Sequence, residues 1–581
     1  MNGLTRLLKS PLLTIAGFSI VVNVLTLVPS LFMLQVFDRV LSSRSTETLF
    51  VLLLGTALAL LLMLGLEYLR SRLLGVAGNL AADALLPAVV RQTMAQGARR
   101  NGKPAQDGVR DVNAVRALFS SQGVIAVFDA PWVIIYVGVI TLAHPVLGLT
   151  AAACAAVMLA LAVLNDWLTR RSIESVQRAA SSTHRYLEGS LANAEVAQAM
   201  GMTEALIAHW RRKSEKVAKL QKPVAVRSVA MAAATRSFRQ AVQVLMLAVG
   251  AWLVITGHAT AGVMIATTIL LSRALAPVEQ VVGGWRVLAE GRAALRRLKE
   301  LLGAAQAAPV PMPLPAPTGQ LQAQTLVYRA PGADRILLAG VSFALPAGES
   351  LAIIGPSGAG KSTLVRTLIG ILPPTSGTVR LDGVDLAQWS REEVGPHIGY
   401  VPQDVELFAG SVAENIARLG KVESEQVLAA AKLAGVHELI LQLPEGYDTM
   451  IDPHGALLSP GQRQRLALAR ALYGQPKLIV LDEPNSNLDG AGEAALAETL
   501  KALKGKATVI VVTHRTTLTQ HVDKMLVLEA GRVSAFGTPA DVAKGLQQAA
   551  ARPGGAQVVP MQRPAQAAAG AARDARPGAS S

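Results

Sequence analysis

Four stretches of this chain carry no charged side chain over lengths that suit a lipid bilayer: residues 10–37, 48–66, 130–165 and 241–272. A helix needs about 20 apolar residues to cross a hydrocarbon layer ~30 Å thick. The first two stretches therefore predict one span each. The last two are longer and each is interrupted, by "AHP" at 143–145 and by "GHATAG" at 257–262, so each predicts a helical hairpin. Six spans are expected. The N-terminal stretch opens with the charges of a secretory signal, but its uncharged run exceeds the apolar core of a signal, which is about 7–15 residues. It is expected to be retained as the first span.

Charge and composition fit this frame. The net charge of +15 first suggests nucleic acid or a membrane surface, but only 4% of residues are aromatic, leaving few platforms on which bases could stack. No nucleic-acid partner is expected. Arg6, Lys9, Arg70, Arg72, Arg170, Arg171, Arg286 and Arg292 fall at one set of span ends; the opposite loops hold Arg39 and Arg44, offset by Asp38 and Glu47. By the positive-inside rule both termini are cytoplasmic. The single cysteine, Cys154, excludes an intramolecular disulfide and a multi-thiolate metal site.

The long segments between spans two and three and between four and five have helical composition, as in "RRSIESVQRAASSTHRYLEGSLANAEVAQAM". They predict spans that continue as long helices beyond the membrane; the alternative is a separate soluble insertion. "APVPMPLPAP" (308–317) places proline at every second position and reads as an extended spacer within a linker at 301–319. After it, short Val/Ile/Leu-rich runs alternate with helical stretches, the pattern of an α/β domain with a largely parallel sheet over 320–547. From 548 to 581 the chain is rich in Ala, Pro, Gly and Arg and reads as a disordered tail.

"GPSGAGKST" (355–363) follows one of these strand-like runs and precedes a helical one, the context in which G-x-x-x-x-G-K-S cradles phosphates. Backbone N–H groups of Gly355, Pro356, Ser357, Gly358, Ala359, Gly360 and Thr363 are candidates for that cradle, proline contributing shape rather than a donor. Lys361 would reach the β- and γ-phosphates, and the Ser362 hydroxyl would bind Mg²⁺. "LIVLDEP" (478–484) supplies a buried strand ending in Asp482, a second Mg²⁺ candidate, and Glu483, placed to orient or deprotonate water. A third stretch, "LLSPGQRQRLALARAL" (457–472), looks like a basic amphipathic helix. Ser459 reads as its N-cap, Pro460 as its first residue and Gln462 as the partner that closes a capping box. Such an N-terminus is an anion site. Arg463, Arg465 and Arg470 read as a solvated or ion-paired face.

With these motifs in order, residues 320–545 resemble the ATPase domain of an ABC transporter, and residues 1–300 resemble the six-span domain of an exporter half-transporter. The resemblance implies ATP and Mg²⁺ as ligands. It gives Tyr328 in "TLVYRAP" the role of stacking on adenine, Gln403 in "VPQDVELF" a place at the metal and water site, His514 in "VVTHR" contact with the γ-phosphate, and Asp489 in "NSNLD" a place in the loop facing a second copy. "LSPGQ" is similar to the family signature LSGGQ, with Pro460 for the first glycine. Ser459, Gly461 and Gln462 would then face ATP held by another copy, which implies a homodimer. "DPH" at 452–454 departs from the acidic-glycine pair usual before the signature.

Within the family, "MLQVFDRVLSSRS" (33–45), "FDAPWVIIY" (128–136), "NAEVAQAMGM" (193–202) and "PQDVELFAGSVAENIA" (402–417) resemble inner-membrane components of type I secretion systems. That likeness implies an unfolded protein cargo with an uncleaved C-terminal signal, a periplasmic adaptor, an outer-membrane duct and contact with membrane lipid in the bacterial inner membrane. No peptidase-like domain is read ahead of the first span. The alternative is a homodimeric lipid or drug exporter; a non-hydrolysing ABC channel or assembly subunit is disfavoured by Glu483 and His514. Arg273 and Glu279 in span six, with Arg236 and Arg239 at the entrance to span five, are candidates to line the transport path; the alternative is that Arg273 snorkels or already lies in the cytoplasmic extension of the span.

Overall fold

The computed structural model describes residues 2–99, 108–306, 314–330, 335–452 and 458–550. The chain forms two compact units, Met1–Ala308 and Pro309–Ser581.

The first unit is helical. Thr46–Arg99, Pro145–Leu191, Thr203–Ile255 and Ala261–Gln306 each run far past a bilayer's thickness. At 1.5 Å per residue the first is about 80 Å long. The extensions expected beyond the membrane are therefore continuous with the spans, and the described residues contain no separate soluble insertion. Among the described residues, five helices are long and apolar enough to cross a membrane. A sixth span results if Gln122–Asp129 and Trp132–Ala143, bent by 46° at the break containing Pro131, count as one. The uncharged run placed the start of that span at residue 130, because Asp129 interrupts it. The structure shows why a charge is tolerated there: Arg70 donates to both Asp129 carboxylate oxygens at 2.9 and 3.1 Å.

That ion pair anchors a buried polar cluster. Arg70 also reaches Ser19 Oγ at 3.2 Å. Asn23 Nδ2 donates to Asp129 Oδ1 at 2.7 Å, and Tyr136 OH donates to Asn23 Oδ1 at 2.9 Å. Arg70, placed by the charge count at a span end, is 5% exposed, and its charge is satisfied within the helical unit. Asp129→Ala would leave it buried and unpaired, a loss of about 3–5 kcal/mol by analogy with broken buried pairs. A marked fall in the thermal unfolding midpoint of the purified protein is expected, with Asp129→Asn intermediate. A second carboxylate of the family-like stretches is also structural. Asp38, in a π-helical turn over Val36–Val40, accepts from Gly262 N at 2.9 Å and Thr260 Oγ1 at 2.7 Å, capping the sixth-span helix.

The second unit is α/β. Strands β1 (Leu321–Arg329), β2 (Ile336–Leu345), β4 (Ser376–Leu381) and β5 (Val384–Asp385) make an antiparallel sheet in the order β2-β1-β4-β5. A six-stranded sheet has the order β12-β11-β3-β10-β9-β6, from β3 (Ser350–Ile354), β6 (Ile398–Val401), β9 (Leu478–Asp482), β10 (Thr508–Val512), β11 (Lys524–Glu529) and β12 (Arg532–Gly537). All its pairs are parallel except β11–β12. A short antiparallel pair joins β7 (Gly410–Ser411) and β8 (Met450–Ile451).

The central strands read as continuous apolar runs because both faces are covered. Ile479, Leu481, Val509 and Val511 enter one core cluster, while Leu478, Val480, Ile510 and Val512 enter another. Period-two alternation thus sends one strand to two cores.

Two boundaries differ from expectation. The sixth-span helix continues to Gln306, into the segment read as linker, and Pro539–Ala550 forms a helix that passes the expected start of the tail. The prolines at 309–313, Pro453-His454 and residues 551–581 lie outside the described residues.

Candidate functional site

Four neighbouring parallel strands, β3, β10, β9 and β6, end at the same edge of the sheet, and each is followed by one predicted motif. The glycine loop follows β3, His514 follows β10, Asp482 and Glu483 end β9, and Gln403 follows β6. Ligands of open α/β sheets bind at such carboxyl ends.

The loop is shaped by close backbone contacts. Gly355 has φ +153°, and a Cβ there would lie 2.1 Å from Leu528 O; Gly360 has φ +102° and would meet Leu337 O at 2.8 Å. Both positions require glycine. Gly531 N donates to Ala359 O at 3.0 Å, tying the loop to the β11–β12 turn. Pro356, Ser357 and Gly358 are exposed, and Gly360 caps the helix Lys361–Leu368, which contains Ser362 and Thr363. Lys361 Nζ donates to Gly355 O at 2.8 Å and Pro356 O at 3.1 Å, curling the ammonium over the loop. Burial lowers its pKa, opposed by the nearby Glu483 and Asp482 carboxylates.

Asp482 is 1% exposed. Burial pushes its carboxyl pKa up and Glu483 adds to the rise, while a hydrogen bond with Ser362 pulls it down. Asp482 Oδ1 is buried with no hydrogen-bond partner. A costly, unsatisfied anionic oxygen beside a hydroxyl suits Mg²⁺, which takes one or two protein oxygens and keeps several waters.

Glu483 has φ +51°, the left-handed region that non-glycine residues rarely occupy. Its N–H donates to Val512 O at 3.0 Å, and its carbonyl accepts from Gln464 Nε2 at 3.2 Å. The carboxylate is bracketed: Gln403 Nε2 donates to Oε2 at 3.1 Å, and His514 Nε2 stands 3.3 Å from Oε1. Three residues expected from separate motifs therefore meet on one carboxylate, although Gln403 engages Glu483 rather than the Ser362–Asp482 pair.

Ser459 caps Pro460–Leu472 as expected. Gln462 N donates to Ser459 Oγ at 3.2 Å, and Ser459 N donates to Gln462 Oε1 at 2.8 Å. Pro460 sits at the first turn, where a missing N–H costs no helical bond. Pro460→Gly is expected to keep ATP hydrolysis within about twofold and to lower the unfolding midpoint slightly, because glycine loses the pre-set φ; a turnover assay and a melting curve check this. Gly461 is needed for space, since a Cβ would come 2.7 Å from Asn487 O.

Asp489 caps Gly490–Leu503, accepting from Gly492 N at 2.8 Å and from Arg465 Nη2 at 2.6 Å. The Gly492 bond and the Arg465 charge lower its pKa. Arg465 is thus ion-paired. Arg470, by contrast, is no solvated charge: it donates to Glu406 O at 3.1 Å and lies over the Phe408 ring. Tyr328 is 8% exposed and packs in the core beside β2, paired with Leu338, which itself approaches Gly360. Gln464, 2% exposed, was missed by the sequence reading; its only signal was its place two residues beyond the capping box.

The model of the ABC transporter transmembrane region matches residues 12–278, and that of the ABC transporter matches residues 338–486. The chain is 42% identical over 525 residues to the type I secretion system ATP-binding protein PrsD of Rhizobium meliloti (strain 1021), covering 89% of this chain and 90% of that protein. This chain is an ABC transporter. It is also 28% identical over 522 residues to the exotoxin translocation ATP-binding protein PaxB of Pasteurella aerogenes, covering 89% of the transporter and 73% of PaxB. In fold it matches a bacterial Atm1-family ABC exporter with ATP bound, at TM-score 0.79 and 22% identity, over 94% of the transporter and all of that chain. ATP binding and hydrolysis coupled to transport follow from this membership.

In the transporter's helical unit, Arg239 Nε lies 2.9 Å from Glu279 Oε2. Arg239 and Arg273 line one cavity, whereas Arg236 is exposed and Glu279 stands outside the lining.

Proposed function

We propose that this transporter is the ATP-hydrolysing membrane component of a type I secretion system, moving an unfolded polypeptide across the bacterial inner membrane. The observation that carries the reading is the 42% identity to a type I secretion protein across 89% of the chain, both units included. The working form is a homodimer. Each chain has one glycine loop and one "LSPGQ" cap, and the Ser459 and Gln462 cap of one copy would face ATP on the loop of the other. Both termini lie in the cytoplasm. The partners are a periplasmic adaptor, an outer-membrane duct and a cargo with an uncleaved C-terminal signal.

In the reaction, Glu483 accepts the proton of the attacking water, while Gln403 and His514 hold its carboxylate in place. Lys361 gives up the Gly355 and Pro356 carbonyls for phosphate oxygens. Ser362 and Asp482 would hold Mg²⁺, which neutralises charge developing on the transferred phosphoryl group. Tyr328, which is buried, offers the adenine little exposed surface.

The test is purification from the native membrane. A dimer that hydrolyses Mg-ATP and carries a periplasmic adaptor with it supports the reading. A dimer that carries no adaptor and whose hydrolysis responds to lipid alone points to a lipid exporter.

A further inference from the structure

Span six carries an arginine at membrane depth, in the helical unit rather than in the α/β unit. From Ala261 to Arg273 the helix advances about 18 Å, so a helix starting at either face of a layer ~30 Å thick places Arg273 inside it. Charges at that depth are costly and mark substrate paths. Arg273 lines a cavity of about 330 Å³ together with Arg239, Gln243, Thr268 and Ser272. Gln243 Nε2 donates to Ser272 Oγ at 2.8 Å, and Arg239 is paired with Glu279. Among the described residues no hydrogen bond or ion pair engages Arg273, and it is exposed in the single chain. Among those residues a carboxylate therefore balances Arg239 and none pairs with Arg273, and the cavity is cationic.

The approach has the same sign. Residues 205–239, on the helix that supplies Arg239 and Gln243, hold nine Lys and Arg against the single acid Glu215. Charge of one sign along a route raises the local concentration of an oppositely charged ligand.

We propose that this cavity is a subsite for carboxylate side chains of the exported polypeptide, with Arg273 as the fork that pairs with them; this rests on the protein-export reading. A guanidinium matches a carboxylate with two parallel bonds. The volume lies at the low end for bound small ligands, about 300–1,000 Å³, enough for one or two acidic side chains in passage. Gln243, Thr268 and Ser272 offer hydrogen bonds to a peptide backbone, and among the described residues Ile269 and Ala276 add the apolar side chains of the lining.

The test uses the full-length dimer in nanodiscs of zwitterionic lipid and two fluorescent peptides, one bearing a Glu cluster and its twin with Gln. The Glu peptide is expected to bind about tenfold more tightly than its twin, the scale of one charged hydrogen-bonded contact, with the preference shrinking as salt rises. Arg273→Gln should remove the preference and Arg273→Lys should keep part of it. If both peptides stimulate hydrolysis but Arg273→Gln keeps the full preference, the subsite is wrong and polypeptide export stands. If neither peptide binds any variant, while nanodiscs with anionic lipid change hydrolysis in an Arg273-dependent way, the cavity serves lipid headgroups and both readings fall.

Discussion

Replacing Glu483 by glutamine is expected to slow steady-state ATP hydrolysis by about 10²–10⁴-fold while ATP binding is retained. The amide has the carboxylate's shape and can accept a hydrogen bond from Gln403, but it takes no proton from water. The backbone at this position is held independently of the side chain, by the Glu483 N–H on Val512 O and by Gln464 on the Glu483 carbonyl. The unusual φ of +51° should therefore persist, and the variant should be trapped with ATP bound as a closed dimer. Turnover and nucleotide retention on the same preparation check this. Hydrolysis near the wild-type rate would remove Glu483 from the role of general base.

Ser459→Arg should be as damaging by a different route. Serine caps the helix through Gln462 N, and losing such a cap costs about 1 kcal/mol. That alone would only soften the helix end. The larger effect is a long cation placed where Ser459 and the Gly461 N–H would meet the γ-phosphate on the partner copy. Hydrolysis should fall by at least about 100-fold, the scale of losing one donor to a transition-state oxyanion. Binding of ATP by the variant's own glycine loop should be unchanged, because Lys361 and the Gly355–Gly360 backbone are untouched. A parallel loss of ATP affinity would mean that Ser459 serves the nucleotide of its own chain.

The parts of the molecule that local chemistry dictates were legible in the sequence. The reciprocal bonds between Ser459 and Gln462 depend only on residues three apart and a helix to cap. The meeting of Gln403, Glu483 and His514 needed a parallel sheet whose strands end together, and the alternation of apolar runs with helical stretches implied one. What stayed hidden depends on partners distant in sequence. Asp129 ended an uncharged run, so the third span was started one residue after it; only the fold brings Arg70 to neutralise it. Arg70 was accordingly counted as a topology charge. Gln464 and Arg465 look like further polar positions of an amphipathic helix until β9 and the loop after it place the Glu483 carbonyl and Asp489 against them. Tyr328 carried an aromatic signature, but its burial follows from the pairing of β1 with β2.

ATP hydrolysis by this transporter is expected to move protein rather than lipid. The most direct measurement compares the proteins in the culture medium of cells carrying the wild-type transporter and cells carrying Glu483→Gln. At least one protein is expected to vanish from the medium in the variant and to accumulate uncleaved inside the cell, while membrane lipid composition stays the same. An unchanged set of secreted proteins, together with a redistribution of lipid between the leaflets, would contradict it.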